Sequence, residues 1–203
     1  MIKNRSLLLI WSLLGLNTSW AFNGYQLELI AFANINNNTL KAESWLPAKA
    51  KVYPPLSLPS GVERVDESDF IMQNEQDRLN HSGYRTLVHA AWRIPYADLN
   101  KITSFHIYGG RLFDDEGRVL QTSTDLNTPY LLSQHWEFNG NLQIKLSQYF
   151  DTRMSAALTL PNTNSQTSFM SLTINEHRKV KSQELNYLDH PLYGVIYKIV
   201  PVS

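Results

Sequence analysis

Ionisable side chains crowd most densely near the C-terminal end of this chain. Between Arg178 and Tyr193 (RKVKSQELNYLDHPLY) stand Arg178, Lys179, Lys181, Glu184, Asp189 and His190, with Tyr187 among them. One reading groups Arg178, Lys181, Glu184, Asp189 and His190 as a polar cluster facing a ligand, the cations holding carboxylates through charge-assisted hydrogen bonds. A second makes Glu184, with Asp189 or His190, an acid and base pair, provided the fold brings them within range. The plain structural alternative has Asp189 bonding backbone amides in a turn, and Pro191 setting the entry into a final strand. On residue chemistry alone, that structural alternative comes first.

Other chemistry is missing from the sequence. It has no phosphate-cradling glycine loop, no Gly-x-Ser-x-Gly elbow, no Ser-x-x-Lys of the penicillin-binding kind and no His-Glu-x-x-His. Without a single cysteine, thiol nucleophiles and thiolate metal sites are excluded. Of six scattered histidines, His89, His106 and His135 fall in expected strands and could meet across a sheet. Strand histidines hydrogen-bonded in place are the commoner outcome, so neither a metal nor a cofactor is expected.

The elements that must position these residues are mostly strands. Tyr25 to Phe32 (YQLELIAF) starts as an alternating, half-exposed strand. Residues 36–66 form a proline-rich loop, with Pro47, Pro54, Pro55 and Pro59 forbidding a regular element and Trp45 tacking it to the core. Asp66 to Ser82 reads as a surface helix, capped by Asp66 or Ser68, striped by Phe70, Ile71 and Leu79, and stopped by Gly83. Tyr84 to Ile94 is the clearest strand, ended by Pro95. Phe105 to Gly110 is another, and Arg111 to Gln121 reads as a hairpin turning at Asp115-Glu116-Gly117. Asn139-Gly140 is the strongest two-residue hairpin signal in the chain. Alternation continues through Leu142–Leu146, Met154–Leu160, Met170–Ile174 and Tyr193–Val200. The expected fold is α+β with β dominant: one antiparallel sheet with a wet face, and one or two peripheral helices.

The N-terminal residues speak to compartment. Lys3 and Arg5 precede the apolar run Leu7 to Leu16, and Ser19-Trp20-Ala21 offers small residues to a signal peptidase. Residues 1–21 are therefore expected to be a secretory signal cleaved after Ala21, its apolar run too short to span a bilayer. No cysteine is present for a lipid anchor, and no second long apolar segment follows. Residues 22–203 should form one domain without membrane insertion. The whole chain balances 18 basic against 18 acidic residues, and the signal carries off two of the basic ones. That leaves no global attraction to nucleic acid or an anionic surface.

Four segments carry a family resemblance. They are Tyr25-Gln26-Leu27-Glu28-Leu29-Ile30, then Leu79 to Trp92 (LNHSGYRTLVHAAW) with its Tyr-Arg pair and His-x-Ala-Trp. The other two are Ile107-Tyr108-Gly109-Gly110 and the ending Arg178 to Pro201 with Ser-x-Glu-Leu and Tyr-x-Asp-His-Pro. Together they resemble the CsiV family of periplasmic peptidoglycan-binding proteins, named for cell-shape integrity. The chain departs from the family at Lys179 and Lys181, where arginines are usual, at Asn186, where a histidine is usual, and at Tyr149-Phe150-Asp151. Lysine cannot grip a carboxylate in the two-pronged manner of arginine.

The resemblance implies a non-enzymatic role in the periplasm: binding the wall, and supporting a bifunctional penicillin-binding wall synthase together with its lipoprotein activator. It implies a ligand surface drawn from Arg178, Lys181, Glu184, Tyr187, Asp189 and His190, with Trp92 and Tyr84 as further aromatics, Trp92 and Trp136 being equally suited to the core. Two other readings stay open, a protein-only envelope adaptor and a wall hydrolase.

Overall fold

A computed structural model describes residues 23–34, 52–54, 57–131, 135–162 and 169–202. The expected signal, its cleavage site, Trp45 and most of the proline-rich loop lie outside the described residues. Among the described residues, ten strands form two five-stranded antiparallel sheets. The first holds β1 (Gly24–Asn34), β2 (Glu63–Arg64), β3 (Tyr84–Pro95), β9 (Leu185–His190) and β10 (Tyr193–Val202), in the order β2-β3-β1-β10-β9. The second holds β4 (Thr103–Phe113), β5 (Val119–Ser123), β6 (His135–Leu146), β7 (Phe150–Pro161) and β8 (Phe169–Val180), in the order β5-β4-β6-β7-β8. A nine-residue helix, α1 (Gln73–His81), lies on the first sheet, and a single turn, α2 (Tyr96–Leu99), follows β3. No helix among the described residues is long and apolar enough to cross a membrane.

The strand-dominated α+β class agrees with the sequence, but the expected single sheet is two. Alternating apolar residues supply both inner faces. Leu27, Leu29, Ala90, Trp92, Val195 and Tyr197 of the first sheet meet Phe105, Phe138, Leu142, Ile144, Met154 and Leu158 of the second in one core. Period-two patterning fixes which residues turn inward, not how many sheets share them. The buried Thr152 hydroxyl meets that of Tyr197 at 2.9 Å, and Tyr193 donates its hydroxyl to the Leu172 carbonyl at 3.0 Å, so polar links also cross the core.

Three local expectations change. Asn139-Gly140 is no turn; it lies in the middle of the continuous strand β6, and neither residue has positive φ. The Asn139 side chain is buried, donating to the Tyr130 hydroxyl at 2.8 Å and accepting from the Tyr53 backbone N–H at 3.3 Å. Gly140 is needed for another reason: a β-carbon there would stand 2.5 Å from that of Ala156 on β7. Tertiary contacts outweigh local turn preference here.

The helix is also shorter than Asp66 to Ser82. Glu67–Asp69 form a 3₁₀ turn, and the α-helix starts at Gln73. The cause is Glu28 on β1, whose carboxylate accepts the backbone N–H groups of Ile71 and Met72, each at 2.7 Å. Gly83, at φ +84°, does follow the helix end as expected. Glu28 itself overturns the half-exposed reading of β1, being fully buried, with Gln26 nearly so. The hairpin turn at Asp115-Glu116-Gly117 is present between β4 and β5, with Gly117 at φ +83°.

Candidate functional site

The outer face of the first sheet carries a row of aromatic rings at the end where β1 stops. Tyr187 on β9 is 45% exposed. Its ring lies within 6° of parallel to that of Phe32 on β1, centroids 6.1 Å apart. Tyr84, at the start of β3, meets Phe32 edge-on at 5.1 Å. Gly194 on β10, between β1 and β9, makes this possible. A β-carbon there would come within 2.6 Å of Phe32 and 2.9 Å of Tyr187, so both rings lie down against the bare backbone. Ile30, Met72 and Ile196 pack around Phe32, with Leu79 of α1 at the margin.

At the rim, the Tyr187 hydroxyl donates to Asp189 Oδ1 at 2.5 Å. Burial, and then the neighbouring Asp189 carboxylate, push the Tyr187 hydroxyl well above its usual pKa, so it stays a protonated donor. The result is a flat aromatic face, anchored on one side, with a carboxylate acceptor fixed beside it. Such a surface suits the CH face of a sugar ring, with Asp189 accepting from sugar hydroxyls.

The residues expected at a site do not all gather in one place. Tyr84, Tyr187 and Asp189 come together on this platform. Arg178 stands at the seam where β8 of one sheet meets β9 of the other, donating to the Tyr187 carbonyl at 2.8 Å and lying 3.5 Å from Glu176. It therefore fixes β9, and with it Tyr187. Lys181 and Glu184 face each other at 4.0 Å across the exposed turn between the sheets. Trp92 is 1% exposed and packs on Phe105 inside the core, leaving no surface for a ligand.

Asp189 does not bond turn amides. That part falls to His190, whose Nδ1 accepts the Leu192 backbone N–H at 3.3 Å. Glu184 precedes β9 and Asp189 nearly ends it. At a rise of about 3.3 Å per residue their backbones are roughly 17 Å apart, beyond the roughly 5–10 Å that separates paired glycosidase carboxylates. The strand histidines also stand apart. His89 Nε2 is 2.7 Å from Glu28, His106 is 3.3 Å from Asn139, and His135 is 3.0 Å from Asp115. Among the described residues no group of three or more metal-ligating side chains gathers.

Phe32, Gly194 and a second cluster, Arg85, Arg111 and Glu137, were not singled out in the sequence as site residues. The signal for Gly194 was its place, with Val195, in the ending Arg178 to Pro201 that carries the resemblance. Arg85 was visible as half of the Tyr-Arg pair, but nothing local connects it to residues 26 and 52 positions away.

No curated protein and no solved structure matches the chain. A family model does, that of the peptidoglycan-binding protein CsiV, over residues 60–202. That span runs from just before β2 to the end of β10 and includes Tyr84, Tyr187, Asp189 and Gly194. The chain therefore belongs to the CsiV family of peptidoglycan-binding proteins.

Proposed function

We propose that this chain is an exported, non-catalytic protein of the periplasm that binds peptidoglycan by laying the glycan strand across Tyr187, with Tyr84 extending the surface and Asp189 accepting sugar hydroxyls. The observation that carries this reading is the half-exposed Tyr187 ring pressed against Gly194 and Phe32, with Asp189 at its hydroxyl. A ring already ordered loses little freedom on binding, so its contact area counts nearly in full. Family membership supplies the ligand class. In this role the protein supports wall synthesis and cell shape beside a bifunctional synthase and its lipoprotein activator.

The test is to incubate the protein with purified sacculi and follow both pelleting and soluble muropeptides. Pelleting without muropeptide release is expected. Release abolished by Glu184→Gln would replace binding with hydrolysis as the leading account, and failure to pellet would favour the protein-only adaptor.

A further inference from the structure

At the same end of the sandwich, Glu137 on β6 is buried, with only 1% of its side chain exposed, and two arginines converge on it. Arg85 of β3 donates to Oε1 at 2.6 Å. Arg111 of β4 donates to Oε1 from a terminal nitrogen at 2.8 Å, and to Oε2 from Nε at 3.1 Å and from its backbone N–H at 3.0 Å. Gly110, at φ +82°, bends β4 so that this can happen; a β-carbon there would sit 2.8 Å from Glu137 Oε2. The Arg111 guanidinium also lies over the Phe113 ring at 5.3 Å.

Two guanidiniums share one carboxylate, and no other described carboxylate lies within ion-pair distance of either. One positive charge is therefore left over. The arginine side chains are 34% and 38% exposed, so donors not used on Glu137 reach solvent. Arg111, on the neighbouring strand of the same sheet, alone already satisfies both Glu137 oxygens, and Arg85 reaches the same carboxylate from the other sheet. Arg85 is the surplus member.

We infer that the Arg85–Arg111 pair, oriented by Glu137, is a receptor for a free carboxylate, that of the wall's stem peptide. The inference rests on the wall-binding reading and adds the peptide to the glycan. Position supports it, because Tyr84 belongs to the platform and Arg85 is the next residue of the same strand, turned to the other side. A stem peptide leaving a sugar on the platform covers about 3.3 Å per residue, enough to round the end of β3 within a few residues. Arginines pre-set by a buried carboxylate bind a second carboxylate with little reordering.

The experiment is calorimetric titration of the protein, purified as the cell exports it, with three probes. These are peptide-free glycan chains, a disaccharide-tetrapeptide with free carboxylates, and the same muropeptide with its carboxylates converted to amides. The free acid should bind about tenfold more tightly than the amide, the worth of one charge-assisted pair, and added salt should narrow the gap. Arg85→Gln, which leaves Glu137 its three bonds from Arg111, should bring the two muropeptide affinities together and leave glycan binding intact. The inference is overturned if the unaltered protein binds glycan but shows no preference for the free acid, a comparison that needs no variant. It is equally overturned if a folded Arg85→Gln protein keeps the preference. Binding to none of the three probes would instead remove the wall-binding reading, and this inference with it.

Discussion

Tyr187 and Glu137 show how single residues at this end of the molecule depend on what lies beneath them. Tyr187 is flat because Gly194 has no side chain. Gly194→Ala should force both rings off the sheet, lowering stability by about 1–3 kcal/mol, as overpacking does, and weakening sacculus binding together with the melting temperature. Glu137 responds to pH. Burial by itself would raise its pKa, but the hydrogen bonds from Arg111 and Arg85, and their charges, hold the carboxyl below the usual range. A folded-state pKa below the unfolded value means that the unfolded chain binds the proton first as pH falls. The stabilisation is thus complete above about pH 4.3, the ordinary glutamate value, and is lost as pH drops through the lowered folded value. Comparing thermal unfolding of the unaltered protein and Glu137→Gln across acid pH should show a gap at neutrality that closes below about pH 4. A gap independent of pH would mean that the charge of Glu137 contributes nothing.

At the scale of elements, α1 is held by a strand far away in sequence. The backbone N–H groups of Ile71 and Met72, just before its first residue, point at the Glu28 carboxylate, which also takes His89 at 2.7 Å. Glu28→Ala would leave the Ile71 and Met72 N–H groups and His89 without this acceptor, while a fourth donor, the Gln26 amide, keeps the Asp69 carbonyl. At roughly 1 kcal/mol or more apiece, the loss should be about 3 kcal/mol, with hydrogen exchange fastest in residues 71–81; unfolding at the unaltered temperature would contradict this. Strand identities were legible in the sequence because β-alternation is local: Tyr84 to Ile94, Met154 to Leu160 and the final strand all read directly. What was not legible is what one element does to another. Glu28 looked like the wet side of a strand until α1 was laid on it, and Asn139-Gly140 looked like a turn until Tyr130, Tyr53 and Ala156 claimed the two residues. Both are cases of tertiary contact overriding a local preference.

Over the whole molecule, the candidate site was half readable. Tyr84, Tyr187 and Asp189 are far apart in sequence or unremarkable in spacing, and only the placement of β9 beside β10, and β10 beside β1, puts their side chains on one face. Arg178 also ties β9 to the neighbouring sheet, because the chain passes from β8 in one sheet to β9 in the other at that point. No spacing rule encodes such a crossing. On the proposed reading, the wall is held by the face built on Tyr187. The most direct test of that claim is the sacculus-binding isotherm of Tyr187→Ala, with Tyr187→Phe beside it and melting temperatures for both. Truncating a central aromatic anchor should cost about tenfold in affinity or more, whereas Tyr187→Phe, which keeps the ring and loses only the bond to Asp189, should lie between that variant and the unaltered protein. A folded Tyr187→Ala protein that pellets with sacculi as tightly as the unaltered one would contradict the claim.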